Sequence, residues 1–320
     1  MRTNLHWISV FFAFIMAILL AGCGGSQSSA PPSGPSVDAY YVADTGNNRI
    51  VKFESFDSPT GFVSFGSAGA GINQFQTPTD IAFDNANNVY IVDQANARIV
   101  RISSNFDGTN WTTYGSAGAG VGQFQTPTCI AIDPLNRIYV TDTGNKRIVR
   151  MDDMAGTNWT TCSSAGGTAF QSLYGIRVDN SGHVYVSDKD ANAVYELDDM
   201  SGTTSHTLSA TVGLAKNSFN QPTSIELDFQ KKLYVVDSGN QRIVRVDDIS
   251  GKNPIEWNSG GVLGSFMGVT VLGRDQILIA DTSQSRVYRI LDMTGSSPSS
   301  YGTPGSGSDQ FQNPLSIRAH

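Results

Sequence analysis

Aspartate and arginine residues recur at a fixed spacing in this sequence, and their side chains could do chemistry. In five places an arginine follows an aspartate after five residues: Asp44–Arg49, Asp93–Arg98, Asp142–Arg147, Asp237–Arg242 and Asp281–Arg286. A sixth aspartate, Asp188, has Ala193 in the arginine position. A carboxylate and a guanidinium can form charge-assisted hydrogen bonds or take part in a reaction. Because nearly identical copies cannot all be catalytic, we interpret the pairs as structural and expect each aspartate to hold a turn.

Charged residues interrupt the repeat at one particular position. The place held by Ala82 and Ala131 in two copies is occupied by Arg177, Glu226 and Arg318 in three others. A buried charge is costly unless an opposite charge neutralises it. Arg177 and Glu226 lie in consecutive copies, so the simplest expectation is that they pair with each other.

The fourth copy departs furthest from the others. It has Tyr174 where three copies have threonine, and Lys189 and Asp190 in the turn after its aspartate. An aromatic side chain beside charged ones is a typical anchor for a peptide or a small polar ligand. We predict that the irregular residues share one face and form a binding site: Tyr174, Arg177, Lys189, Asp190, Glu226 and Arg318. The alternative is neutral drift within one copy.

Candidate metal ligands are sparse. The histidines after residue 22 are His183, His206 and His320, at unrelated places in the repeat, so we do not expect a zinc site. Paired aspartates follow one strand in three copies: Asp152-Asp153, Asp198-Asp199 and Asp247-Asp248. These pairs lack the alternating oxygen ligands of a dedicated calcium loop, and we interpret them as solvated turns. We expect no cofactor, and one calcium ion near Glu226 is the alternative.

All these residues belong to a repeat that must position them on one scaffold. Successive copies of the repeated aspartate lie 44 to 49 residues apart, a period that indicates a propeller or a solenoid. The third copy predicts four strands, at residues 130–133, 138–141, 147–151 and 158–161. Four short antiparallel strands form one propeller blade, and six blades can close into a ring. We therefore predict an all-β fold, a six-bladed β-propeller of four-stranded antiparallel blades.

The two ends of the repeat region complement each other. The first copy begins at its second strand, just before Tyr41, whereas residues 314–320 repeat the pattern of a first strand. Pairing the two would satisfy backbone groups that would otherwise form open sheet edges. We predict that the C-terminal strand completes blade one and closes the ring.

The third copy resembles a known repeat. It reads Phe-Gln-Thr-Pro-Thr-Cys-Ile-Ala-Ile-Asp from Phe124, and then Ile-Tyr-Val-Thr-Asp-Thr-Gly-Asn-Lys-Arg-Ile from Ile138. This resembles the NHL repeat, whose consensus runs Pro-x-Gly-Ile-Ala-Val-Asp and then Tyr-Val-Ala-Asp-Thr-Gly-Asn-x-Arg-Ile. The resemblance covers residues 37–320 in six copies and implies a propeller fold. It selects no function, because NHL-like propellers include RNA-binding modules, extracellular sensor domains, a peptide-amidating lyase and relatives among lactonases and antibiotic lyases.

An uncharged apolar run precedes the repeats. Residues 7–20 are short for a membrane span and suit the apolar region of a secretory signal. Leu-Ala-Gly-Cys at residues 20–23 resembles a bacterial lipobox, which implies a signal peptide at residues 1–22 and a lipid on Cys23. Residues 23–36 then form a flexible tether, and residues 37–320 form the propeller domain. We expect a lipid-anchored protein of the bacterial cell envelope, in the outer membrane if the cell is Gram-negative.

Charge and cysteine content narrow the possible functions. The formal net charge is −7, and −8 without residues 1–22, which argues against a nucleic-acid ligand. We expect Cys129 and Cys162 to be buried free thiols, because their strands lie too far apart for a disulfide. We predict a monomeric, non-catalytic binding or scaffolding propeller whose partner is an envelope protein or a small ligand. The alternative is a lyase- or lactonase-like propeller enzyme with one metal ion in its channel.

Overall fold

The computed structural model of the protein describes residues 39–209, 218–261, 263–273, 276–294 and 298–320. The predicted signal peptide, Cys23 and the predicted tether lie outside these residues and stay predictions. Within the described ranges, no helix has the length and apolar character needed to cross a membrane.

The described residues form six antiparallel sheets of four strands, and we name the strands of each blade a to d from the axis outward. The a strands of blades one to six are Ser316–Ala319, Pro78–Phe83, Pro127–Ile132, Leu173–Val178, Pro222–Leu227 and Phe266–Leu272. The b strands are Tyr40–Asp44, Val89–Asp93, Ile138–Asp142, Val184–Asp188, Leu233–Asp237 and Gln276–Asp281. The c strands are Arg49–Glu54, Arg98–Ile102, Arg147–Met151, Ala193–Leu197, Arg242–Val246 and Arg286–Ile290. The d strands are Thr60–Phe65, Thr112–Tyr114, Thr160–Cys162, Ser205–Ser209, Ile255–Asn258 and Ser299–Tyr301.

Short 3-10 turns join strands b and c in four blades, at Thr45–Asn47, Gln94–Asn96, Thr143–Asn145 and Ser238–Asn240. Two-residue strands pair within four of the loops that lead from one blade to the next: Ser67–Ala68 with Gln74–Phe75, Ser116–Ala117 with Gln123–Phe124, Ser164–Ala165 with Thr168–Ala169, and Thr303–Pro304 with Gln310–Phe311. These loops run to the start of the next a strand, so they define one end of the channel.

The six a strands surround the axis in a closed order. Each a strand contacts the a strands of the preceding and the following blade, and blade one lies between blades six and two. Blade one combines both ends of the described chain, because Tyr40 pairs with Ala319 and Ala43 pairs with Ser316. Ala39 and His320 also exchange two backbone hydrogen bonds, of 2.9 and 3.0 Å. The predicted six-bladed propeller and its closure by the C-terminal strand are therefore confirmed.

The b strands form the center of the packed layers. They are buried along their whole length in blades one to five, and Val140, Val186 and Val235 are fully covered. Adjacent blades pack on both faces of each b strand, which explains why apolar residues follow one another there without alternating with polar ones. Burial of one such aliphatic side chain stabilises the fold by about 1.5–3 kcal/mol. This packing holds the a strands, and the side chains they carry, around the axis.

Two strand starts predicted for blade three are wrong, and three predicted strand ends differ by one residue. Strand a begins at Pro127 rather than at residue 130, because Pro127 pairs with Asp142 across a β-bulge. Strand d begins at Thr160 rather than at residue 158, because Asn158 has a left-handed backbone with φ of 54°. Both differences arise from local backbone irregularities that interrupt the alternation of side chains.

Candidate functional site

The Asp142–Arg147 pair ties the b–c turn of blade three to the loop that precedes strand a. Asp142 Oδ2 accepts hydrogen bonds from Asn145 Nδ2 and Arg147 Nε, at 2.8 Å each. Asp142 Oδ1 accepts a hydrogen bond from the backbone N of Gln125 at 2.7 Å. Arg147 Nη2 donates to the carbonyl oxygen of Gln123 at 2.8 Å. The pair therefore clamps two segments together, and protein donors already occupy the carboxylate.

Three more blades contain this clamp, with 2.7 Å between the arginine Nε and the aspartate Oδ2: Asp44–Arg49, Asp93–Arg98 and Asp237–Arg242. In blade four, where Ala193 replaces the arginine, Asp188 accepts hydrogen bonds from backbone N–H groups of the preceding loop. Blade six also differs. Among the described residues no ion pair joins Asp281 to Arg286, and Asp281 instead accepts a hydrogen bond from the backbone N of Gly264 at 2.7 Å.

A cavity of about 200 Å³ opens at the end of the channel where the a strands begin, and we call it the upper cavity. Every blade contributes one residue to its rim: Thr79, Thr128, Tyr174, Thr223, Met267 and Leu315. Its floor includes Asp80, Cys129, Ser316 and Arg318. Hydroxyl and apolar groups surrounding a few buried charged groups are typical of sites for small ligands.

Tyr174 and Lys189 meet at the rim of the upper cavity. Lys189 Nζ lies 5.1 Å from the center of the Tyr174 ring, and both residues are half-buried. A cation over an aromatic ring at such a site contributes about 0.5–1 kcal/mol. Asp190 follows in the same turn and is exposed. The Tyr174 ring is thus not fully exposed, because the lysine side chain covers part of it.

Four charged side chains of alternating sign cross the channel, and we call them the charge network. Asp80 Oδ1 lies 2.7 Å from Arg318 Nη2, and Arg318 Nη1 lies 3.8 Å from Glu226 Oε2. Glu226 accepts hydrogen bonds from Arg177 Nε at 2.8 Å and from Arg177 Nη2 at 2.9 Å. The predicted pairing of Arg177 with Glu226 is therefore present. Two negative and two positive groups leave the network neutral as a whole.

The charge network controls the protonation of Asp80 and Cys129. Burial by itself raises the pKa of Asp80, but the charges of Arg318 and Arg177 and the hydrogen bonds from Cys129 and Ser316 outweigh burial and hold this pKa below its ordinary 3.8. Burial and the negative charge of Asp80 raise the pKa of the Cys129 thiol to about 12. Cys129 Sγ donates a hydrogen bond to Asp80 Oδ2 at 2.6 Å. The thiol is therefore a neutral donor, and thiolate chemistry is suppressed.

Both cysteines within the described residues are free and buried, so the prediction of two buried thiols is confirmed. Cys129 lines the upper cavity, whereas Cys162 lies in strand d of blade three. Burial is also the main reason why the pKa of Cys162 is raised.

A second cavity, of about 180 Å³, lies at the end of the channel where the a strands finish, and we call it the lower cavity. Its charged lining residues are Arg177, Glu226 and Arg318. Its other lining residues are apolar: Ile81, Ala82, Phe83, Ile130, Ala131, Ile132 and Val178. The charge network therefore lies between the two cavities, and Arg318 lines both of them.

The prediction that all irregular residues share one face is wrong. Tyr174 lines the upper cavity, whereas Arg177 and Glu226 line the lower one. Arg177 follows Tyr174 by three positions of extended strand, which corresponds to about 10 Å along the channel. Sequence comparison between blades identifies unusual residues but does not show how deep in the channel each one lies.

Asp80 is the main channel residue that the sequence analysis does not single out. It occupies the third position of strand a, where the other blades have the small residues Cys129, Gly175, Ser224, Gly268 and Ser316. A single carboxylate in a column of small residues is a signal that the same comparison between blades could have found.

The three histidines of the described residues occupy different elements, two of them in blade four. His183 Nδ1 is 3.1 Å from Asp179 Oδ2 at the a–b turn of blade four. His206 belongs to strand d of that blade. His320 stacks on Phe83, with 4.6 Å between the ring centers. Across the described ranges, no three His, Cys, Asp or Glu side chains form a group suited to a metal ion.

The paired aspartates after strand c bind their own turns. Asp153 Oδ1 accepts hydrogen bonds from the backbone N of Ala155 at 2.8 Å and of Thr157 at 3.1 Å. Hydrogen bonds from the Thr157 side chain and from the backbone lower the pKa of Asp153. Asp248 accepts a hydrogen bond from the backbone N of Ser250 at 2.9 Å in the same way.

Comparison with protein families identifies one copy of the repeat. The NHL repeat family matches residues 124–151, which lie in blade three and its preceding loop. The predicted resemblance to the NHL repeat is therefore confirmed for this copy. No curated protein is significantly similar to the chain.

Several solved structures share the fold. A chain in the crystal structure of a nidogen/laminin complex has a TM-score of 0.68 and 21% identity, covering 87% of this chain and 97% of that one. A streptogramin B lyase structure has a TM-score of 0.53 and 17% identity, covering 71% and 69%. A protein of unknown function from Bacteroides caccae has a TM-score of 0.61 and 12% identity, covering 88% and 98%. At these identities the likeness shows the β-propeller fold alone.

Proposed function

We propose that this protein is a non-catalytic binding propeller, held in the bacterial cell envelope by a lipid on Cys23. The observation that carries the binding role is the arrangement of blade four at the upper cavity. There the Tyr174 ring stands at the rim under the Lys189 ammonium, where three other blades place a threonine. A rigid aromatic ring beside charged and hydroxyl groups is the usual composition of a recognition site.

The state of the channel carboxylates supports binding rather than acid–base catalysis. A general base needs a carboxylate that can take a proton from a substrate. Asp80 lies against Arg318, and Glu226 forms two hydrogen bonds with Arg177. Cys129 is kept in its thiol form, so it is a poor nucleophile.

The ligand that we propose for the upper cavity is a small polar molecule, or one side chain of an envelope protein that docks on this end of the ring. The cavity of about 200 Å³ admits a group of that size. The Tyr174 ring would stack on the ligand, and the hydroxyl oxygens of Thr79 and Thr223 would accept hydrogen bonds from it.

Calorimetric and thermal-shift screening with free amino acids, dipeptides and simple sugars tests this proposal. A ligand that stabilises the wild-type protein should bind at least about tenfold more weakly to the Tyr174→Ala variant. Phe229→Ala is the matched control, because this phenylalanine is 65% exposed in the a–b turn of blade five. Equal binding to the wild type and to a folded Tyr174→Ala variant would refute the proposed site.

Two further measurements test the remaining parts of the proposal. Metabolic labelling with a radioactive fatty acid should mark the wild type and not the Cys23→Ser variant, and the variant should leave the membrane fraction. Metal analysis before and after chelation tests the alternative of a metal-dependent enzyme. One bound ion per chain, with a lower melting temperature after its removal, would favour that alternative and direct attention to Glu226.

A further inference from the structure

We propose that the lower cavity is a second binding site, which takes a small carboxylate with a compact apolar body, such as a single aromatic ring. The site combines an apolar wall from blades two and three with guanidinium N–H groups from blades four and one. It lies at the opposite end of the channel from the upper cavity. The inference therefore does not depend on the function proposed for Tyr174.

The apolar half of the site is open because two blades carry small residues. Ala82 and Ala131 occupy the position that Arg177, Glu226 and Arg318 occupy elsewhere, and this leaves free space opposite the charged side chains. Half-buried apolar residues of three blades, Phe83, Ile132 and Val178, also line the cavity. Protein cavities of about 150 Å³ with apolar walls can bind benzene. A volume of about 180 Å³ is thus suited to one ring with a small head group.

The polar half of the site offers hydrogen-bond donors. The Arg177 guanidinium has five N–H groups. Its Nε and Nη2 donate to Glu226, and its Nη1 donates to the carbonyl oxygen of Ile176 at 2.6 Å. The second N–H of Nη1 donates to Cys129 Sγ at 4.0 Å, which leaves one N–H on Nη2 without an acceptor within the described residues. A buried donor without an acceptor is unfavourable, so a ligand with acceptor oxygens is favoured.

The charges around the lower cavity favour an anionic head group. The two guanidinium groups of Arg177 and Arg318 line this cavity together with the single carboxylate of Glu226. The other carboxylate of the charge network, Asp80, lines the upper cavity instead. A ligand carboxylate is an acceptor without donors, and its hydrogen bonds from a guanidinium are charge-assisted. A neutral alcohol of the same shape would lack this contribution.

Fluorine NMR titration of the purified full-length protein with para-fluorobenzoate tests the proposal. We expect saturable binding with one site per chain, and at least about tenfold weaker binding of para-fluorobenzyl alcohol. The Ala131→Leu variant fills the cavity without changing its charge, and it should weaken para-fluorobenzoate binding at least about tenfold. Tyr174→Ala is the matched control at the other cavity and should bind like the wild type. If Ala131→Leu does not fold, the smaller change Ala82→Val replaces it.

Each opposite result would overturn the proposal. The lower cavity is not a binding site if saturation is absent at about 10 mM ligand with a folded protein. Unchanged affinity in a folded cavity-filling variant, or loss of binding in Tyr174→Ala, would place the ligand elsewhere. Equal affinity for the alcohol and the carboxylate would refute recognition by the guanidinium groups.

Discussion

Asp44 Oδ1 accepts a hydrogen bond from the backbone N of Gln312 at 2.6 Å, and this bond joins residues 268 positions apart. Arg49 Nη2 adds hydrogen bonds to the carbonyl oxygens of Gly307 at 2.7 Å and Gln310 at 2.9 Å. In blade one, the clamp therefore joins the first b–c turn of the described chain to the loop that precedes the closing strand. Ring closure depends on these side chains as well as on the pairing of Ser316–Ala319 with Tyr40–Asp44.

Deletion of residues 313–320 should destabilise the whole ring. The deletion exposes the backbone groups of Tyr40–Asp44 and removes the buried side chains of Ile317 and Arg318. We expect a loss of at least about 3 kcal/mol, because several backbone hydrogen bonds of about 1 kcal/mol each disappear together with apolar burial. Calorimetry should show one transition at a lower temperature. Equal melting temperatures for the truncated and the full-length protein would contradict this prediction.

Acid should destabilise the protein through Asp80. The pKa of Asp80 is below 3.8 in the fold, and an aspartate in an unfolded chain has a pKa of about 3.9. The unfolded state therefore binds the proton more tightly. The stabilisation is present above the unfolded pKa and is lost as the pH falls through the folded one. The free energy of unfolding should therefore decrease when it is measured from neutral to strongly acidic pH.

The Asp80→Asn variant isolates this effect. At neutral pH the variant should be less stable than the wild type, because Arg318 loses its charged partner, and the difference should shrink at acidic pH. Asp190→Asn is the control, because Asp190 is exposed. The free energy of unfolding of this variant should change with pH as that of the wild type does. A difference between Asp80→Asn and the wild type that stays constant with pH would show that Asp80 does not titrate as described.

The Cys129 thiol should react very slowly in the native protein. A pKa of about 12 leaves about one thiol in ten thousand ionised at pH 8, far fewer than for a cysteine with a pKa of about 8.5. Alkylation by iodoacetamide, followed by mass spectrometry of peptides, should be at least about a thousandfold slower before unfolding than after it. Fast native labelling of Cys129, with Cys162 protected, would mean that the upper cavity opens readily.

Arg177 and Glu226 should be energetically coupled. Replacement of Arg177 by methionine leaves a largely buried carboxylate with a weaker partner and should cost about 3–5 kcal/mol. The double variant Arg177→Met/Glu226→Leu should be more stable than the sum of the two single changes predicts. A double-mutant cycle from denaturant unfolding should give a coupling energy of about 1–3 kcal/mol. Additive effects would show that the pair does not stabilise the fold.

The fold could be predicted from sequence because each level of the pattern indicates the same architecture. The period of the aspartates indicates a propeller, their six copies indicate the number of blades, and residues 314–320 indicate the closure. The strand ends could not be predicted to the residue, because the bulge at Pro127 and the left-handed backbone of Asn158 depend on local packing.

The candidate site could be predicted only in part. Comparison between blades finds Tyr174, Arg177 and Glu226, since they differ from equivalent residues. It does not show that the charge network separates two cavities, because the depth of a side chain in the channel follows from the twist of six strands around one axis. It also does not show that Cys129 donates to Asp80, because these residues come from different blades.

The strand that closes the ring is synthesised long after the strand that it pairs with. Ser316–Ala319 emerges from the ribosome only after more than 250 further residues have followed Tyr40–Asp44. At about 5–20 residues per second, the inner edge of Tyr40–Asp44 stays without its neighbour for roughly ten to fifty seconds. During this time its backbone N–H and C=O groups can pair with other nascent chains. The newborn protein is therefore most prone to aggregation before Ser316–Ala319 arrives, and any chaperone that protects it must shield this edge until then.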